Sequence, residues 1–449
     1  MLIKFTVENY LSFNGKVELS LVAGKYRSLP HHVIKRKKRN DVNLLKSAVI
    51  YGANASGKSN LVKAIDFGRN MIVKGTKAGQ QIPTRIFKLD AKNYQQPTKF
   101  QYDIKVKGKI YSYGFSLDSR KIHDEWLSLP AKAQETYLFT RKTDSDDRVE
   151  VNFGKNLYST VKERNFLQFV AQGTRSNQLF LTEAIQRNVK QLKDVYEWFS
   201  DRLKIIFPES QVEHLAEILM TDKHNIKNTF LKLLKGFDTG ISNIATEQIP
   251  LSKVNLPTEV KEKIEKDLKE DQIAIVREMP TRKTYNISKG KEGEFLAIQL
   301  ITQHKMKDSK KEVSFELNDE SDGTKRIMDF IPALTNLRIE DDVYIIDEID
   351  RSLHPHLTTA ILDIFLNKDK QHNNQLIVTT HESNLLNLEL LRRDEIWFVD
   401  KNKDGETTIF SLEEFQPRYD KDIRKAYLLG RFGAIPSLVK SRQREQYDR

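Results

Sequence analysis

The stretch Gly52-Ala53-Asn54-Ala55-Ser56-Gly57-Lys58-Ser59 restricts the folds open to this chain more than any other. It satisfies the pattern G-x-x-x-x-G-K-[ST] in the context that the pattern needs. The apolar run Ala48-Val49-Ile50-Tyr51 before it reads as a buried strand, and apolar residues at helical spacing follow from Lys58 to about Ile72. A strand, a glycine loop and a helix in that order pack within a mostly parallel sheet flanked by helices, so an α/β fold is expected. The glycines let backbone N–H groups curl around phosphates at a helix N-terminus, where the dipole favours anions. Lys58 adds a point charge for the β- and γ-phosphate oxygens, and Ser59 offers a hydroxyl to Mg²⁺.

Two further apolar strands end in chemistry. Val343-Tyr344-Ile345-Ile346 delivers Asp347 and Glu348 to its C-terminal edge. There Asp347 suits a Mg²⁺ contact, direct or through water, and Glu348 can orient and deprotonate an attacking water. Leu376-Ile377-Val378-Thr379-Thr380 ends in His381, a residue able to sense a γ-phosphate or polarise water.

Taken together, Asn54 and Ser56 in the loop, Asp347-Glu348, Asp350 with Ser352-Leu353-His354-Pro355, and Thr380-His381 resemble the ABC-type ATPase heads of the SMC, DNA-repair and OLD-like groups. Glu320-Ser321-Asp322-Gly323-Thr324 resembles the S-x-G core of their signature loop. Near the two ends, Val7-Glu8-Asn9-Tyr10-Leu11-Ser12-Phe13 and Tyr427-Leu428-Leu429-Gly430-Arg431-Phe432-Gly433-Ala434-Ile435-Pro436 are similar to OLD-like and AAA-type bacterial ATPases of abortive-infection and other phage-defence systems. The resemblance implies an ABC-type P-loop ATPase head with an antiparallel β subdomain and a helical insertion, using ATP and Mg²⁺. It assigns Glu348 and His381 to catalysis, and Ser59 and Asp347 to the metal. Gly52, Asn54, Ser56, Gly57, Lys58, Ser59, Asn60, Ser321, Gly323 and Asp350 are assigned to the nucleotide. It also implies a head-to-tail homodimer, or a higher even-numbered oligomer, with ATP sandwiched between Ser59 of one copy and Ser321 of the other. This chain departs from the pattern where Leu11 replaces a basic residue and Ala55 a loop glycine; Glu125 sits near the region expected to carry a Q-loop glutamine.

The segment boundaries follow from changes of period. Residues 1–152 read as the N-terminal half of the head with an antiparallel meander over Phe100–Leu129, and 153–280 as a helical insertion. In that insertion Val189, Leu192, Tyr196, Phe199, Leu203 and Ile206 step by three and four, as do Ile226, Phe230, Leu233 and Phe237. Residues 281–440 read as the C-terminal half of the head, and 441–449 as a polar tail.

Composition narrows the function classes. With 39% hydrophobic residues, 23 Phe and 15 Tyr, the chain can bury a large core, which excludes disorder throughout. The absence of Cys excludes disulfide scaffolds, thiolate metal sites and a Cys nucleophile, and fits the cytoplasm. No run approaches the ~18 apolar residues of a membrane span, and the alternating N-terminus is unlike a signal peptide. A net charge of +12 and the run Lys35-Arg36-Lys37-Lys38-Arg39 admit DNA or RNA as a partner, or simply a solvated loop. His354-Pro355-His356 has no further ligands at metal spacing, and the D-loop turn that the resemblance implies explains His354 better.

The leading expectation is an ATPase that dimerises on ATP and senses for, or gates, a separately encoded nuclease or toxin. The stretch after His381 is too short for the TOPRIM domain of OLD-like nucleases. A DNA-repair or chromosome ATPase acting directly on DNA is the alternative, but it calls for sustained heptads that the insertion lacks. A transporter subunit would be more compact, and a small-molecule kinase would leave Ser321 and His381 unexplained.

Overall fold

The computed structural model describes residues 1–38, 41–130, 135–209, 226–269, 272–279, 283–290, 293–309, 311–335, 341–368, 372–415 and 422–435. The expected polar tail, Arg39 of the basic run and Pro436 lie outside these residues. The chain forms two compact units. One comprises Met1–Pro208, Glu340–Asp350 and Leu362–Arg449; the other Glu209–Ile339 and Arg351–Ile361.

In the first unit a six-stranded sheet runs, in spatial order, Leu203–Ile206, Val343–Ile346, Gln375–Thr380, Ser47–Tyr51, Ile396–Lys401 and Thr407–Ser411. All neighbours pair in parallel except the last two strands. The three central strands are buried along their whole length, as expected of a parallel sheet covered on both faces. Gln375–Thr380 stands between the glycine-loop strand and the acidic strand, so the ends that carry Gly52, Asp347 and His381 lie side by side.

A seven-stranded antiparallel sheet adjoins it in the order Val149–Phe153, Thr136–Thr143, Ile122–Leu129, Lys109–Leu117, Thr98–Val106, Leu2–Glu8 and Val17–Ser20. The meander expected from Phe100 to Leu129 is its centre. Its Phe5, Phe100, Tyr102, Tyr113 and Phe115 share one core with Leu61, Val62 and Ile65 of the helix Lys58–Val73 and with Ile50 and Ile345 of the parallel sheet. Tyr102 Oη donates to Ile65 O at 2.9 Å and lies where a Cβ at Gly68 would sit, so glycine lets the helix settle on this sheet. The buried amide of Gln375 accepts from Leu2 N–H at 2.6 Å and donates to Leu2 O and Leu45 O, each at 3.0 Å. That clasp fixes the N-terminal strand to the sheet that carries the loop.

Two expectations are corrected. First, the segment 153–280 is not a helical insertion throughout. The helices Val161–Gln172 and Phe180–Gln186 belong to the first unit, and the three-four stepping after Val189 ends in the strand Leu203–Ile206. Pairing with Val343–Ile346 at the sheet edge overrides the helical spacing. Second, the 281–440 boundary cuts through the second unit, whose antiparallel sheet runs Ile241–Pro250, Phe295–Lys305, Thr284–Lys289, Ile273–Arg277, with Glu312–Glu316 also on Phe295–Lys305. Leu251, Val254, Ile264, Tyr285, Ile287 and Ala297 form its core. The helix Ile226–Gly236 packs against Asp322–Thr335 and the strand Ile241–Pro250.

Candidate active site

The loop geometry depends on small residues. A Cβ at Gly52 would lie 2.4 Å from Val399 O and 2.6 Å from Ser56 Oγ. Gly57 has φ 116°, and a Cβ there would lie 2.4 Å from Thr407 Oγ1. Ala55, in the place of a loop glycine, holds the left-handed conformation at φ 62°, which costs on the order of 1 kcal/mol. Thr407 Oγ1 donates to Ser56 O at 2.8 Å, so the neighbouring strand braces the loop from behind. Ser56 Oγ is buried with no hydrogen-bond partner in the protein.

Lys58 opens the helix Lys58–Val73 and is only 5% exposed. Its Nζ donates to Gly52 O at 2.8 Å and Ala53 O at 3.0 Å, and lies 3.3 Å from His381 Nδ1. Burial lowers its pKa to about 8, although Glu348, Asp347 and Asp350 pull the other way. His381 is likewise lowered, first by partial loss of water and then by the Lys58 charge, so the ring is neutral near pH 7.

The acidic edge is organised by a hydroxyl. Thr379 Oγ1 donates to Asp347 Oδ1 at 2.6 Å and accepts from Glu348 N–H at 2.8 Å. Ser59 Oγ donates to the same Asp347 oxygen at 3.2 Å, bringing the two expected metal ligands together. Glu348 takes φ 50°, a conformation that a non-glycine residue holds only where its surroundings over-determine it. Both oxygens of Asp350 lie 3.3 Å from His381 N.

Asn54, Ala55, Ser56, Gly57, Lys58, Ser59, Asn60, Glu348, His381 and Lys401 line one cavity of about 500 Å³. A triphosphate fits this chemistry: first-turn residues of a helix, an ammonium, and a buried hydroxyl in need of a partner. One carboxylate beside one hydroxyl also suits Mg²⁺, which takes most of its remaining ligands from phosphates and water. Among the described residues no cluster of three or more His, Asp or Glu gathers to hold a metal by itself.

Other expected residues sit differently. Asn60 Nδ2 donates to Ser12 Oγ at 2.8 Å, toward the turn after the first strand. Glu125 is not in the cavity. It is 1% exposed and accepts from Phe180 N–H, Leu181 N–H and Tyr113 Oη, which makes it an internal cap of the antiparallel subdomain. Leu11 takes φ 52° and donates its N–H to Arg85 O. Ser321 and Gly323 belong to the second unit. Ser321 Oγ accepts from Thr324 N–H at 3.1 Å as the N-cap of Asp322–Thr335, and a Cβ at Gly323 would lie 2.8 Å from Ser352 O. Sequence reasoning missed Thr379, Thr407 and Lys401. A hydroxyl residue at the end of a buried apolar strand was the available signal for Thr379; Lys401 and Thr407 carry none.

A family model described as "AAA domain, putative AbiEii toxin, Type IV TA system" matches residues 47–387. The chain belongs to this family. The match takes in the glycine loop, the signature-like Ser321, the acidic strand and His381. Among solved structures the chain is similar to the SMC head domain from Thermotoga maritima (12% identity, TM-score 0.36, covering 91% of this chain and 98% of that one). It is also similar to an Smc head bound to the C-terminal winged-helix domain of ScpA (14%, 0.37, 93% and 99%). A third is the Smc head with an extended coiled coil bound to the C-terminal domain of ScpA derived from Pyrococcus furiosus (13%, 0.36, 93% and 99%). No curated protein matches the sequence. No helix among the described residues is long and apolar enough to cross a membrane.

Proposed function

We propose that this chain binds and hydrolyses ATP with Mg²⁺, dimerises around the nucleotide, and gates a separately encoded effector, a nuclease or toxin, in anti-phage defence. One observation carries the catalytic part: Lys58, Ser59, Glu348 and His381 line a single cavity, and Asp347 is hydrogen-bonded to Ser59. Lys58 leaves the loop carbonyls and turns onto the β- and γ-phosphates. Asp347 and Ser59 hold Mg²⁺, which when bound neutralises charge developing on the phosphate oxygens. Glu348, held by the Thr379 hydroxyl through its N–H, takes the proton of the attacking water. Neutral His381, steadied through its N–H by Asp350, reads whether the γ-phosphate is present.

Ser321 at the start of Asp322–Thr335 supplies a second anion site, occupied by the nucleotide of a partner copy. The family description names a putative toxin and a Type IV toxin–antitoxin system, which supports a chain that works with a partner. Direct action on DNA is the second reading. It is favoured by the net charge of +12 and the exposed Lys35, Arg36, Lys37 and Lys38.

The test is a nuclease and growth assay on the isolated chain, then on the chain with its neighbouring gene product. Activity only in the pair, lost with Lys58→Ala, supports gating. Cleavage by the isolated chain that survives Lys58→Ala refutes it, and salt-sensitive DNA binding that stimulates hydrolysis favours the second reading.

A further inference from the structure

Glu320, the residue before Ser321, has a buried carboxylate with 8% side-chain exposure. One oxygen, Oε1, accepts from Thr302 Oγ1 and lies 2.7 Å from His304 Nε2. Thr302 and His304 are alternate residues of the strand Phe295–Lys305, so their side chains stand on one face. In the same ladder Thr302 pairs with Phe315 and His304 with Val313, and the His304 ring meets Phe315 edge-on at 4.9 Å. The chain therefore leaves the strand Glu312–Glu316, makes the short turn Leu317–Asp319, and is pulled back by Glu320 onto the strand beside the one it left. From the other side Ser321 is held by its helix: Ser321 Oγ caps Thr324 N–H, and Ser321 O accepts from Lys325 N–H at 3.0 Å. Buried Ile327, Met328, Phe330 and Ile331 anchor that helix.

A turn alone does not call for a buried carboxylate, whose desolvation is costly unless donors meet it. Here two side chains of one strand supply the donors, and the group they hold adjoins the hydroxyl that the dimer reading needs. We infer that Glu320 is a positioning residue: held by Thr302 and His304, it sets Ser321 for the nucleotide carried by a second copy. Through it the strand Phe295–Lys305 is coupled to ATP-driven association. The inference rests on the dimer reading above.

The experiment measures ATP-dependent association by sedimentation in a Glu348→Gln background, with ATP affinity measured separately at protein concentrations too low for association. Glu320→Ala removes a shared, charge-assisted acceptor and should weaken association by roughly 10- to 100-fold, while ATP affinity of the single copy stays within about twofold. In the Glu348-containing protein, turnover of Glu320→Ala should recover as protein concentration rises, which a merely unfolded variant would not do. Thr302→Val should reproduce the loss and Thr302→Ser should rescue it, a comparison that stands even if Glu320→Ala fails to fold. Wild-type association in Thr302→Val and in folded Glu320→Ala overturns the inference. ATP-independent association of the parent, or ATP affinity indifferent to Lys58→Ala, overturns the reading beneath it instead.

Discussion

On the proposed function, Lys58 should make ATP binding a proton-uptake reaction in mildly alkaline solution. In the free chain its ammonium lies buried against Gly52 O and Ala53 O, and its pKa falls from the ordinary 10.5 to about 8. A bound triphosphate surrounds the same group with negative charge and favours the protonated form. At pH 9 about nine-tenths of free Lys58 is neutral, so binding takes up about 0.9 proton; at pH 7 uptake is about 0.1. Affinity accordingly falls by about tenfold per pH unit from pH 9 upward, until the ordinary lysine pKa is approached. The same linkage acts on folding. Between about pH 8 and 10.5 the unfolded chain binds a proton that the native chain does not, so the nucleotide-free fold gains stability as pH rises through that window. Calorimetric titration with a non-hydrolysable ATP analogue, in two buffers of different ionisation enthalpy, measures uptake directly. Lys58→Arg, charged throughout the range, should abolish the pH dependence. Zero uptake at pH 9 with intact wild-type binding would refute the argument that burial on the loop carbonyls displaces this lysine.

Three substitutions test other parts of the site. Thr379→Val removes the donor to Asp347 and the acceptor for Glu348 N–H; it should cost about 2–4 kcal/mol of stability by thermal melting and slow phosphate release by about 10- to 100-fold, and wild-type turnover would contradict it. Gly57→Ala forces a Cβ toward Thr407 at φ 116°, so equilibrium dialysis should show ATP affinity lower by roughly tenfold or more. Lys401→Met removes an ammonium from the cavity wall, and should weaken ATP binding by about three- to tenfold at low salt and less at high salt.

The parts of the fold visible in the sequence are those written in short-range patterns. Gly52 to Ser59 needs only a strand before it and a helix after it, and the apolar runs Val343–Ile346 and Leu376–Val378 are too short to be helices. The strand Ile241–Pro250 was not visible, because Ile241, Ile244 and Ile249 do not alternate cleanly and its partner Phe295–Lys305 lies far along the chain. Leu203–Ile206 continued a helical spacing and became a strand only by pairing with Val343–Ile346. The site divides the same way. Lys58, Asp347, Glu348 and His381 carry their chemistry in their own motifs, whereas Thr407 reaches Ser56 across 351 residues of sequence, and only the parallel sheet brings them together. Glu125 shows the converse: it sits near the region expected to carry a Q-loop glutamine, and burial beside Phe180 and Leu181 gave it a capping duty.

The most direct test of the central claim compares ATP binding and single-turnover cleavage in the wild type, Lys58→Ala and Glu348→Gln, with Mg²⁺ present. Lys58→Ala should lose ATP affinity, since the cavity loses its buried cation. Glu348→Gln should bind ATP about as tightly as the wild type yet cleave it at least about 100-fold more slowly, because an amide cannot accept the water's proton. Equal loss of affinity in both variants, or cleavage undiminished in Glu348→Gln, would contradict the account.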